Sequence, residues 1–78
     1  MQTLYEEVLE TAREFMGPAA EDYIRRRIRI VMRGAEPESM VPEKLERLVA
    51  GIEMTAKGYM SAGRAERFCA AIRKLADR

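Results

Sequence analysis

Residues 3–34, TLYEEVLETAREFMGPAAEDYIRRRIRIVMRG, decide the fold. In the first half of this stretch Leu4, Tyr5, Val8, Ala12, Phe15 and Met16 recur every three or four residues, while Glu6, Glu7, Glu10, Arg13 and Glu14 take the other side. That spacing is an amphipathic helix, because a period of 3.6 residues gathers the apolar positions on one face. Thr3 with Glu6 three residues on forms a capping box, in which each side chain satisfies a backbone amide orphaned at the helix start. Gly17-Pro18 then predicts a stop followed at once by a new start: glycine accepts a left-handed cap, and proline needs no amide donor in a first turn. The second half reads as a helix from Pro18 to about Arg33, ending at Gly34. Ala20, Ile24, Ile28 and Val31 share one meridian, Tyr23 and Ile30 flank it, and Asp22, Arg25, Arg26, Arg29 and Arg33 crowd the far side. Arg27 falls inside the apolar sector, so it is expected to snorkel past the core edge or to pair with an acid on another helix.

Downstream, residues 35–41 have no helical period and lie between helix-breaking signals, which makes them a connecting loop with Met40 and Val41 tucked inward. Pro42 opens a third helix, 42–57, with Leu45, Leu48, Val49, Ile52 and Ala56 as its buried face and Gly58 as its stop. Ser61 caps a fourth, 62–76, in which Ala65, Phe68, Cys69, Ile72, Leu75 and Ala76 repeat at helical spacing. Arg73, Lys74 and Arg78 suit the negative end of its dipole. The reading is an all-α chain: a small four-helix bundle-like domain, residues 1–78, with short antiparallel connections. Its expected core is Val8, Ala12, Phe15, Ile24, Ile28, Val31, Leu45, Leu48, Ile52, Phe68, Cys69 and Ile72. Net charge alternates along these segments, −3 over residues 1–16, +3 over 17–33, −2 over 34–60 and +3 over 61–78. Antiparallel neighbours of opposite sign can then pair across each hairpin.

The composition excludes much chemistry. With 78 residues, 47% hydrophobic and 35% charged, the chain suits one small folded unit rather than a disordered one. No histidine and a single cysteine leave no imidazole acid/base pair, no Cys/His dyad and no thiolate/imidazole zinc cluster. Neither a glycine-rich phosphate loop nor a Glu-x-x-His pattern is present. The expectation is a protein that is not an enzyme, with no cofactor, no metal and no small-molecule substrate. Lone Cys69 cannot close an internal disulfide, and it sits at an apolar helical position, so it reads as a buried core thiol in a cytoplasmic protein. No apolar stretch is long enough to span a bilayer, and no basic region followed by an apolar core marks a secretory signal.

Two surfaces remain as candidates. The outer face of the third helix carries Arg47, Ala50, Gly51 and Met54, where small residues admit a close-packed partner, methionine offers a deformable anchor and arginine a charge-assisted contact. A protein partner, or self-association as a symmetric dimer, is the expectation there; the competing reading packs Gly51 within the monomer. Five of the six methionines, Met1, Met32, Met40, Met54 and Met60, fall at chain ends, helix edges or loops, and exposed together they would form a partner patch. The second surface is the arginine side of the second helix, Arg25, Arg26, Arg29 and Arg33, which could neutralise phosphates. Nucleic acid is the alternative partner. Against it stand a net charge of +1, no recognisable readout motif, and pairing of the arginines with Glu21 and Asp22 as the simpler reading.

Phe15-Met16-Gly17-Pro18-Ala19-Ala20, aromatic-apolar-Gly-Pro-x-Ala between two amphipathic helices, resembles the turn of a small helical domain of unknown function appended to bacterial signalling proteins. These include serine/threonine kinases and Roadblock-type GTPase regulators. The resemblance covers the hairpin of residues 8–31 and, loosely, the apolar spacing of the last helix. It implies a bacterial regulatory or interaction module, here with no catalytic or switch domain expected upstream of Met1, and brings no catalytic residues.

Overall fold

The Gly17-Pro18 punctuation organises the computed structural model, which describes residues 2–77; expectations placed on Met1 and Arg78 lie outside them. The described residues are mostly helical, without strands, in four α-helices joined by 3₁₀ turns and short irregular segments: α1 Leu4–Met16, α2 Ala20–Met32, α3 Leu45–Thr55 and α4 Ala62–Lys74. Thr3 closes the start of α1 as a complete capping box, and the Ser61 hydroxyl accepts the Arg64 amide at the start of α4. At Gly17 the chain turns through φ 64°, ψ −139°, and Pro18 sits in a 3₁₀ turn over Gly17–Ala19, so α2 proper begins two residues later than Pro18. The tighter turn suits a reversal with almost no loop: one bond, from the Ala20 amide to the Gly17 carbonyl, closes it. At the other end of α2 the left-handed position is Arg33, one residue before the expected Gly34 stop, and Gly34 follows at φ 89°. Pro42–Lys44 and Ala56–Gly58 extend α3 as 3₁₀ turns.

α1 packs on α2 and α4, and α3 packs on α4 and α2, so every helix has two neighbours around a shared interior. Val8, Ala12, Ile24, Ile28, Leu48, Ile52, Phe68 and Ile72 are wholly inaccessible there, and Cys69 is buried beside them. The Cα radius of gyration, 11.3 Å, matches the roughly 11.5 Å expected of a close-packed chain of this length.

Two core expectations and one flank expectation change. Val31 is only half-buried, and Met32 takes the interior place, because the packed stripe of α2 follows the i, i+4 row through Ala20, Ile24, Ile28 and Met32. Ile30, expected at the flank, is 60% exposed. Phe15 is half-buried, its ring stacked on Phe68 at 5.2 Å and covered outside by the Arg64 guanidinium. In the connecting loop Met40 is buried as expected, whereas Val41 faces out and Ala76 of the last turn is exposed.

Candidate functional site

Small side chains at the α3–α4 contact leave a groove open to solvent. Ala50 and Met54 of α3 face Ala65 and Cys69 of α4 across it, with Glu53, Lys57, Glu66 and Arg73 along the rims. Alanine and cysteine fill too little space to bring the helix surfaces flush, so a concavity persists beside a fully packed core. Met54 stands at 83% exposure, the most exposed large apolar side chain among the described residues. Glu53 and Arg73 pair at 2.9 Å, tying α3 to α4 with the sign of charge that the segment alternation predicts. Burial, and next the Glu53 carboxylate, raise the Cys69 thiol, so the sulfur stays protonated and poorly nucleophilic at neutral pH.

Of the four residues proposed from the sequence for a partner surface, the structure brings Ala50 and Met54 into this groove, leaves Arg47 exposed on the same helix, and turns Gly51 elsewhere. Gly51 faces α2. A Cβ built on it would meet the Arg27 Cδ at 3.8 Å, an ordinary van der Waals distance. The mid-helix glycine thus belongs to packing within the chain, under the stem of Arg27, and even there an alanine would fit. The α4 half of the groove, Ala65 and Cys69, was not foreseen as a surface. Its only sequence signal is that both small residues lie at i, i+4 on the edge of the apolar stripe.

Arg27 takes the first of its two expected courses. It snorkels, half-buried, and no acid lies within ion-pair distance of it among the described residues. Beside it the Tyr23 hydroxyl and Thr55 Oγ1 share a hydrogen bond at 2.6 Å, and Thr55 also donates to the Gly51 carbonyl at 2.9 Å. Burial raises Tyr23 above its ordinary value, against the lowering effect of the Thr55 hydrogen bond.

The arginine side of α2 divides. Arg25 is engaged, its Nε donating to the Tyr5 hydroxyl at 3.1 Å and its other end 3.6 Å from Glu21, which Arg13 of α1 also reaches at 2.9 Å. Arg26, Arg29 and Arg33 are exposed with no ion pair among the described residues. Among those residues no cluster of acids and cysteine could hold a metal ion, and no helix is long and apolar enough to cross a membrane. Compared with known proteins, the chain matches no protein-family model, no curated protein and no solved structure.

Proposed function

We propose that the chain is a non-catalytic protein-interaction module, its four helices acting as one bundle-like unit that presents the α3–α4 groove to a protein partner. The observation that carries this reading is Met54, an unbranched, adaptable side chain held almost wholly in solvent at the rim of a groove floored by Ala50, Ala65 and Cys69. An exposed apolar anchor beside a concavity with charged rims is the arrangement by which interfaces concentrate binding free energy in a few residues. Ala50 and Met54 carry the contact, Arg47 supplies a charged contact at its margin, and a regulatory setting in bacterial signalling is the one the hairpin's resemblance favours. The buried, unpartnered thiol of Cys69 suits a reducing, cytoplasmic environment.

Met54→Glu tests this reading. The substitution leaves the core untouched, so the melting temperature should hold within about 4 °C. Self-association measured by sedimentation, or stoichiometric retention of a partner from cells that make the protein, should fall at least tenfold. Wild-type protein that neither self-associates nor retains a partner, or a variant that binds as well as wild type, overturns it. A nucleic-acid reading rests on Arg26, Arg29 and Arg33, which have no ion pair among the described residues. Duplex DNA or structured RNA bound with a steep salt slope, abolished by Arg29→Glu with Arg33→Glu, would put it first.

A further inference from the structure

A second concavity, distinct from the α3–α4 groove, lies where α2 crosses the end of α3. Asp22, Tyr23, Arg26 and Arg27 line it from α2, and Thr55 and Tyr59 from the other side. At one end the Tyr23 hydroxyl and Thr55 Oγ1 share a hydrogen bond, and Thr55 also donates to the Gly51 carbonyl. The cationic donors of the cleft are the two guanidiniums. Arg27 is half-buried, its stem resting over the bare backbone of Gly51, and neither it nor Arg26 has an acid within ion-pair distance among the described residues. Partly buried charges are normally paired, because desolvation otherwise goes uncompensated. Two guanidiniums against the single Asp22 carboxylate leave the cleft one positive charge in excess. The Tyr59 ring borders it, held edge-on to Tyr23 at a centroid distance of 4.9 Å and 58% exposed.

We propose that this cleft binds a carboxylate carried on a flat apolar body, the carboxylate on the forks of Arg27 and Arg26 and the body against Tyr59. One excess charge selects a monoanion over a phosphate dianion, and the planar guanidinium matches the two oxygens of a carboxylate. The exposed ring favours an aromatic or similarly flat neighbour over a bare aliphatic acid. The carboxylate belongs either to a free small acid or to the C-terminus of a peptide.

Chemical-shift titration of the full chain separates these sources. The probes are benzoate, benzamide, an acetylated peptide ending in a free-acid phenylalanine, and the same peptide as its amide. The two acids should give saturable shifts at Arg27 and Tyr59 with millimolar dissociation constants, and the two amides should give none. Tighter binding of the peptide acid assigns the site to a chain terminus, and tighter binding of benzoate to a small molecule; either outcome supports the proposal. Arg27→Gln should weaken both acids about tenfold or more, the scale of a lost charge-assisted hydrogen bond. Arg27→Lys, which keeps the charge and loses the fork, should fall between, and Arg29→Gln, outside the cleft, should bind as wild type. Shifts of equal size from acids and amides, or unchanged affinity in both Arg27→Gln and Arg26→Gln, would overturn it. Met54→Glu should leave these titrations unaltered, so failure here and failure of the α3–α4 interface are read independently.

Discussion

Gly51 shows how a residue's identity and its role can separate. Mid-helix glycine costs helix stability through backbone entropy, and its usual compensation is a close approach that a Cβ would block. Here the space exists, with only the Arg27 Cδ at 3.8 Å from a built Cβ. Gly51→Ala should therefore stabilise the fold by about 0.5–1 kcal/mol, read as a raised denaturant midpoint at constant slope. A lowered midpoint would mean that Arg27 cannot yield. Two titrating groups act at the same scale. Cys69 and Tyr23 both hold their protons more tightly folded than unfolded, chiefly through burial. The unfolded chain thus binds fewer protons in alkali, and stability falls as pH rises. Their contribution is fully present below the ordinary values of 9.0 for the thiol and 10.0 for the phenol and is lost as pH climbs through the raised folded values. Unfolding midpoints measured upward from pH ~8 should decline, and Cys69→Ala should remove the earlier part of that decline while leaving the phenol's.

At the scale of the element, the end of α1 depends on a residue from the far side of the chain. Arg64, in the first turn of α4, donates through Nε to the Phe15 carbonyl at 3.0 Å and through its terminal nitrogen to the Glu14 carbonyl at 3.3 Å. Its guanidinium carbon also lies 5.4 Å from the centroid of the Phe15 ring. Carbonyls in the last turn of a helix lack internal partners, and a cation there both bonds them and meets the negative end of the dipole. Arg64 thus closes α1 and docks the start of α4 on it in one contact. Arg64→Ala should cost about 1–2 kcal/mol, and Arg64→Lys should recover less than half of it, because an ammonium cannot bond two carbonyls and cover a ring together. Thermal unfolding of the three proteins checks the order. The apolar and capping pattern of α1 and α4 makes each helix legible alone, but nothing local to residues 14–16 announces that Arg64 completes them.

For the whole molecule, stability rests on one interior to which all four helices contribute. Phe68 is its largest wholly buried side chain and stacks on Phe15. Phe68→Ala should cost on the order of 3–5 kcal/mol, comparable to the entire stability of a chain this short; an unchanged melting temperature would show that α4 is not part of the core. Helix positions, both N-caps, the Gly17-Pro18 reversal and most of the buried residues were determined by sequence alone, because hydrophobic period and capping act over three or four residues and are written locally. Tertiary structure decided the remainder. Which edge of an apolar stripe faces inward, Met32 rather than Val31, depends on how α2 lies against its neighbours. The outward face of α3 became a groove only when Ala65 and Cys69 of α4 were set opposite Ala50 and Met54. Arg27, out of place on its own helix wheel, found bare backbone at Gly51 and an open cleft beside Tyr59, with no acid in ion-pair reach among the described residues. Concavities and partnerless charges arise from surfaces distant in the chain meeting, and no pattern within one helix encodes what the next helix brings to it.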